Sequence, residues 1–231
     1  MTSDDAQPGA NETDLSAVRT YWANETAGVL EICGATSTQG QRRIWWLAEH
    51  FRFYPGVRDI VPGMNNLTVE LDHAAPDPDN LLDALRTEWR TSNAVKFPSR
   101  RIDIPVHYGG AAGPDLDEVA RHSGLSGDEV IRLHSAGQYT VYFLGFVPGF
   151  AYLGGMDKRL ATPRRREPRL AVPAGSVAIG GEQTGVYPSV SPGGWQLIGQ
   201  TSLQLFDPAR DPAALLLPGD TVRFVNLGKN Q

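Results

Sequence analysis

The sequence holds one cysteine, Cys33, among 231 residues. That excludes a disulfide framework and any cysteine-based zinc site, and it fits a reducing compartment. The five histidines are His50, His73, His107, His122 and His134, and none recur at the His-x-x-x-His spacing of a helical metal site. No Gly-x-x-x-x-Gly-Lys-Ser/Thr loop is present, so no Walker-type ATP site is legible. Ser176 lies in Ala-Gly-Ser-Val, not Gly-x-Ser-x-Gly, which leaves a nucleophile-elbow hydrolase unsupported. Apolar runs stay below the ~18 residues needed to span a bilayer. The amino terminus is polar to about Arg19 and lacks the basic-then-apolar order of a secretory signal. Together these absences predict a cytoplasmic protein. An excess of positive charge is also lacking. The 21 Lys and Arg against 26 Asp and Glu leave a net charge of −5. General nucleic-acid binding is thereby disfavoured, because it needs a basic surface to displace counterions.

What is present is ordinary globular material: 41% hydrophobic and 20% charged residues. The length allows one large domain or two small ones. Residues 1–20 read as a disordered acidic tail. Residues 21–107 read as a small α/β domain. Val29 to Cys33 suggests a strand, and Ile44, Leu47, Ala48 and Phe51 follow at helical spacing. Val57 to Val61 and the alternating Leu67, Val69 and Leu71 suggest two more strands. A helix from near Asp79 carries Leu82, Leu85 and Trp89, and Ile102, Ile104 and Val106 alternate as a last strand. The order β-α-β-β-α-β is the split-βαβ, ferredoxin-like arrangement. Residues 108–136 read as a helical connector, with capping-box spacing at Asp115/Glu118 and Ser126/Glu129 and a stop at Gly124. Over residues 137–231 Gly and Pro become dense. The apolar segments shorten to Thr140–Leu144, Ser176–Ile179, Trp195–Ile198, Leu203–Phe206 and Thr221–Val225. Short strands between Gly/Pro turns predict a closed or sandwiched all-β domain. The predicted class is α+β.

Three segments carry possible chemistry. Gly145 to Gly155 interleaves glycine with Phe146, Pro148, Phe150 and Tyr152. It reads either as a ligand-facing loop or as a buried turn that needs glycine dihedrals. Lys158, Arg159, Arg164, Arg165, Arg166 and Arg169 follow as a basic run broken by Pro163 and Pro168. Arginine forks suit carboxylate or phosphate, and a solvated surface is the plain alternative. Pro173 to Tyr187 places Glu182, Gln183 and Thr184 beside flexible backbone. That is either a polar small-molecule site or a pair of tight turns. Trp195 either walls a pocket or fills the core. His122 and His134, on the connector helices, are candidate proton donors or acceptors.

Longer strings go further. Leu144-Gly145-Phe146-Val147-Pro148-Gly149-Phe150-Ala151-Tyr152-Leu153-Gly154 closely resembles the signature of the allophanate-hydrolase-subunit-1 family. Pro173-Ala174-Gly175-Ser176-Val177, Gln183-Thr184-Gly185-Val186-Tyr187-Pro188 and Ser191-Pro192-Gly193-Gly194-Trp195-Gln196-Leu197-Ile198-Gly199 do so as well, in the same order. Upstream, Ile104-Pro105-Val106-His107-Tyr108-Gly109-Gly110 and Gly113-Pro114-Asp115-Leu116 extend the resemblance, which covers about residues 28–226. It implies a cyclophilin-like β-barrel after the small α/β domain. It also implies a role in the 5-oxoprolinase members of the family: ATP-driven opening of 5-oxoproline to glutamate, with ATP and magnesium. The partners it implies are two further 5-oxoprolinase components, an A-type and a carboxyltransferase-like C-type subunit. Activity of the chain alone is not expected. The matched positions that would face a ligand are Phe146, Pro148, Phe150, Tyr152, Gln183, Tyr187 and Trp195. Arg164, Arg165 or Arg166 would hold phosphate or the substrate carboxylate, and Glu182 or His134 would shuttle protons. No metal cage is expected. Competing expectations within the family are an allophanate-hydrolase or urea-carboxylase component, a histidine-kinase inhibitor, and a structural subunit whose partner holds the chemistry.

Overall fold

In the computed structural model, which describes residues 17–34, 37–75, 80–92 and 99–229, helix α1 (Thr38–Phe51) starts where Ser37 can cap it. The Ser37 hydroxyl accepts the Gly40 N–H at 3.0 Å, satisfying one of the otherwise orphan donors of the first turn. The helix buries Ile44, Leu47, Ala48 and Phe51, the face expected from their spacing. Helix α2 (Leu81–Thr91) buries Leu81, Leu85 and Trp89. Both pack with strands β1 (Val18–Trp22), β2 (Ala27–Ile32), β3 (Val57–Pro62) and β4 (Asn66–Leu71) around one apolar cluster. The sheet order is β1-β2-β4-β3, antiparallel throughout. Gln41, fully buried, ties α1 to the β3–β4 turn by donating to the Gly63 carbonyl at 2.9 Å and accepting from the Asn65 N–H at 3.1 Å. These elements make up the first of two units, Met1–Lys96 and Phe97–Gln231.

The ferredoxin-like strand order needs correction here. The strand holding Ile102, Ile104 and Val106 is β5 (Arg101–Tyr108), and it lies in the second unit, paired in parallel with β13 (Thr221–Lys229). The place beside β2 is taken by β1, so the connectivity is β-β-α-β-β-α. Alternation shows that a strand has one buried face; it carries no information about the partner. Strand β1 escaped notice because it carries Arg19 and Tyr21, which meet Glu31 across the sheet at 2.8 and 3.2 Å. The predicted tail over 1–20 lies outside the described residues as far as 16, whereas Val18 to Thr20 belong to β1. The expected boundary at 107/108 falls instead at 96/97.

The second unit is a closed seven-stranded barrel in the order β10-β7-β6-β13-β5-β12-β9. Its remaining strands are β6 (Tyr139–Leu144), β7 (Ala151–Gly154), β9 (Ser176–Gly180), β10 (Gln183–Val186) and β12 (Gln196–Gln200). A two-stranded sheet of β8 (Arg169–Val172) and β11 (Ser191–Gly193) is separate. Leu203 to Phe206, expected as a strand, forms only a single bridge, Phe206 to Ala214. Helices α3 (Leu116–Ser123) and α4 (Gly127–Ala136) are not a free connector. Their Val119, Ala120, Val130 and Ile131 join the barrel core. The Ser126/Glu129 capping box and the Gly124 stop (φ 68°) form as the spacing predicted.

His134 of α4 sits fully buried in that core. Its Nδ1 is 2.7 Å from the Tyr108 hydroxyl of β5, and its Nε2 is 2.9 Å from Thr184 Oγ1 of β10. The Thr184 hydroxyl donates to the Ala178 carbonyl at 2.9 Å, so it accepts from His134 Nε2–H, and Nδ1 accepts from Tyr108. Tyr139 of β6 donates to the His134 carbonyl at 2.7 Å, and the Phe224 ring of β13 lies tilted against the imidazole with centroids 4.4 Å apart. One neutral imidazole therefore joins α4 to four strands. Among the described residues, no helix is long and apolar enough to cross a membrane.

Burial pulls the His134 pKa down to about 3. The native state keeps the ring neutral while the unfolded chain protonates it below its ordinary value of about 6.5. Stability from this group is complete above pH 6.5 and is lost as pH falls toward 3. Denaturant melts should show a loss of about 2 kcal/mol between pH 7 and pH 5 from His134. The acid slope should flatten in His134→Gln.

Candidate functional site

Along the barrel strands, alternate residues point outward. Ala178 of β9, Gly185 of β10 and Tyr152 of β7 lie between inward-facing neighbours, and Gly180 follows inward-facing Ile179. The small residues leave a shallow floor that large rings cover. Trp195 covers Gly180, and a methyl at Gly185 would stand 3.2 Å from Phe150 Cζ and 3.4 Å from Trp195 Cζ3. Phe150 is the hub of the cluster. Its ring centroid is 5.0 Å from that of Tyr152, 5.3 Å from that of Tyr187 and 5.5 Å from those of Phe146 and Trp195. All four contacts are edge-to-face, the arrangement ring quadrupoles favour.

Phe146 stands apart from the others in exposure, 57% accessible at the tip of the β6–β7 loop. Its φ of 66° lies in the left-handed region, which costs a non-glycine residue about 1–2 kcal/mol. Pro148 is exposed beside it, and the two help line an apolar recess with Phe206 and Ala214. Thus Phe146, Phe150, Tyr152, Tyr187 and Trp195 form one surface, in which Phe150, Tyr187 and Trp195 are buried. Burial pushes the Tyr187 hydroxyl above its ordinary pKa.

Next to the rings lies an open cleft of about 710 Å³. Arg164, Arg165 and Arg166 line it together with Asp115, Thr162 and Gln196. The Arg164 guanidinium carbon is 5.7 Å from the Trp195 ring centroid, within the range of a cation–π contact. Arg166 is exposed and makes no hydrogen bond or ion pair among the described residues. Asp115 was expected to cap α3, but its side chain makes no capping bond. Its Oδ1 accepts from Arg165 at 3.2 Å and Arg169 at 2.8 Å, and its Oδ2 accepts the Leu197 N–H at 2.7 Å. This 5%-exposed carboxylate holds the arginine segment against β12. Glu118, also on the cleft, is paired with Arg121 at 2.7 Å, which holds its carboxyl below the usual range.

The remaining predicted residues divide. Gln183 is half-buried at the start of β10, with its Nε2 unpartnered. Glu182 is exposed at the β9–β10 turn, next to Gly181, whose N–H donates to the carbonyl of cleft residue Thr162 at 2.8 Å. His134 is not at the site. It is fully buried in the barrel core with both nitrogens committed, so its geometry is that of a structural residue and not of a proton shuttle. Asp115 and Gln196 were missed as cleft residues, although both stand in motifs singled out above. What hid them is that their neighbours there, the Arg164–Arg166 run and Thr162, are remote in sequence. Among the described residues, no group of three or more His, Cys, Asp or Glu is placed to hold a metal.

The chain belongs to the family described as carboxyltransferase domain, subdomain C and D, which matches residues 18–216. Within that family it is 54% identical over 211 residues to the 5-oxoprolinase B subunit of Escherichia coli O157:H7, covering 91% of this chain and 97% of the relative. The crystal structure of TTHA0988 superposes with a TM-score of 0.75 at 39% identity. That match covers 91% of this chain, which spans only 40% of the TTHA0988 chain. The Kluyveromyces lactis urea carboxylase structure shares the fold, with a TM-score of 0.71 at 21% identity, over 94% of this chain and 22% of that one.

Two substitutions test how the site is built. Gly180→Ala should push Trp195 off the strand and lower stability by about 1–3 kcal/mol in thermal or denaturant melts. Asp115→Asn should cost about 2 kcal/mol, because two guanidinium groups lose their shared carboxylate.

Proposed function

We propose that this chain is one component of an ATP-dependent 5-oxoprolinase, opening 5-oxoproline to glutamate together with an A-type and a carboxyltransferase-like C-type subunit. The observation that carries the reading is the 54% identity, along nearly the full length of both chains, to a 5-oxoprolinase subunit of the B type. The cleft adds a chemical reason. 5-Oxoproline is a small lactam with a carboxylate, and Arg164 and Arg166 offer guanidinium groups to an anion at the edge of the Trp195 ring.

The lactam amide resists water until its carbonyl is activated. ATP would phosphorylate the lactam oxygen; water then adds to the activated carbon, the C–N bond breaks as the ring nitrogen takes a proton, and a second water hydrolyses the resulting acyl phosphate to carboxylate and phosphate. In this chain the proposed work is positioning and charge neutralisation, which dominate phosphoryl transfer. Arg164 and Arg166 hold the substrate carboxylate or a phosphate. The aromatic face, from Phe146 and Pro148 to Trp195, excludes water from one side, and Gln183 supplies an amide at its edge. Glu182 is the carboxylate proposed to accept a proton, since it adjoins the strand segment paired to Thr162. Magnesium would accompany ATP. The described residues offer it no cage, and no step is assigned to it. The chain alone is proposed to be inactive, and its place of action is the cytoplasm.

The test is 5-oxoproline-dependent ATP hydrolysis with this chain and its A-type and C-type partners, separately and mixed. Activity only in the full mixture, and lost when this chain is left out, is the expected result. An assembled mixture that ignores 5-oxoproline but turns over urea-derived substrates would replace this reading with the urea-carboxylase type. In the active mixture, Arg164→Ala should lower kcat/KM about 10- to 100-fold without impairing assembly.

A further inference from the structure

The segment that carries Arg164 and Arg166 is pinned at the residues beside them. The Pro163 carbonyl accepts from Gln196 Nε2 at 2.9 Å. The Arg165 N–H donates to the Gly194 carbonyl at 2.7 Å, and its guanidinium reaches Asp115. Just before, Thr162 and Gly181 exchange backbone hydrogen bonds of 3.1 and 2.8 Å, and just after, Arg169 is held by Asp115. Pro163 and Pro168 restrict the dihedrals between these points. The side chains of Arg164 and Arg166 are exposed, line the cleft, and make no hydrogen bond or ion pair among the described residues. A backbone held in place reduces the ordering cost when such side chains close on a ligand.

The charges of the cleft say what kind of ligand this is. Asp115 is shared by two cations, Arg165 and Arg169, and Glu118 is paired with Arg121. Among the lining residues the one further carboxylate is Glu167, which is exposed. Set against it are Arg164, Arg166 and the unmatched half of the Asp115 pair, so cations exceed carboxylates by two. One bidentate guanidinium satisfies a lone carboxylate and would leave the second arginine unmet. A chain of phosphates carries charged oxygens enough for both. Size points the same way. The cleft of about 710 Å³ falls in the range, about 300–1,000 Å³, of sites that enclose drug-sized ligands. A five-membered ring with one carboxylate leaves most of that space empty.

We infer that this cleft seats the phosphate chain of a nucleoside triphosphate, with Arg164 and Arg166 as the two arms that close on it. Resting on the oxoprolinase reading, the nucleotide is the ATP that drives ring opening, and of the two anions in that reaction it is the phosphate, not the lactam carboxylate, that these arginines hold. No Walker-type loop is needed, because the guanidinium groups take the place of its backbone N–H groups. Asp115 and Gln196 touch no phosphate in this arrangement. They are positioning residues, which fix the segment from Pro163 to Arg169 so that its free arginines stand together.

The test titrates the full-length chain by calorimetry with inorganic triphosphate, ATP, AMP and 5-oxoproline. Triphosphate and ATP should both bind, with AMP and 5-oxoproline at least about 10-fold weaker. The double variant Arg164→Gln/Arg166→Gln replaces two exposed, unpaired side chains and so keeps the fold. It should weaken triphosphate and ATP by about 10- to 100-fold. Arg42→Gln, at an exposed arginine of α1, should change neither. Failure of triphosphate to bind, or binding that survives the double substitution, would overturn the inference. Triphosphate bound with ATP excluded would assign the cleft to free inorganic phosphate and overturn it as well. In the active assembly, Arg166→Gln should raise the KM for ATP about 10-fold and leave the KM for 5-oxoproline unchanged. The reverse pattern would overturn the inference while the oxoprolinase reading stood. An assembly that ignored 5-oxoproline would remove that reading, and the titrations would then decide the cleft by themselves.

Discussion

A barrel of seven strands closes around a space that side chains must fill completely, and here a polar ring stands in the middle of it. His134 can occupy that position only while both nitrogens are satisfied and the ring is neutral. Tyr108 and Thr184 meet those conditions from opposite parts of the strand order, and Tyr139 fastens the helix backbone to a third strand. The chain of donors runs one way, from Tyr108 through His134 and Thr184 to the Ala178 carbonyl, so its geometry has a single solution. Helix α4 is therefore part of the barrel. The strands it joins hold their outward residues in fixed register.

That register builds the functional face. Because Thr184 and Val186 point in, Gly185 points out, and because Val177 and Ile179 point in, Ala178 and Gly180 point out. A floor this shallow accepts rings the size of Trp195 and Phe150 without a gap. The loop after β6 then bears the strain of Phe146 at positive φ to set one more ring at the surface. On the neighbouring flank, Asp115 takes up two arginines and a backbone amide. It thereby fixes the segment whose other arginines remain open to an anion. The aromatic face and the cleft meet at the contact between Arg164 and Trp195.

Kinship and geometry speak to different questions. Identity over nearly the whole length places the chain among the B-type components of 5-oxoprolinases, and the shared fold with a urea carboxylase shows how widely the architecture is used. Geometry addresses what a site of this kind holds. The Arg164 and Arg166 guanidinium groups that line the cleft suit an anion.

Much of this was legible beforehand. The α1 face, the Ser126/Glu129 cap, the Gly124 stop and most barrel strands follow from periodicity and punctuation, which act over a few residues. The aromatic members of the site were legible too, since Gly/Pro-rich strings with interleaved rings are rare enough to carry a family resemblance. What local pattern could not decide was pairing. Strand β5 alternates in the same way whether it closes a small sheet or lies beside β13, and only long-range packing chose the barrel. Nor could it decide which polar residues are spent. Asp115 had the spacing of a helix cap and serves an arginine network, and His134 had the look of a catalytic residue and fills a core. Gln196 is ordinary in the sequence, and its unpaired oxygen exists only because Pro163, brought from 33 residues away, occupies the other end of its amide. Sequence determined the elements and their chemistry. Tertiary structure decided which groups satisfy one another and which stay unpaired, because hydrogen-bond satisfaction is settled by neighbours in space.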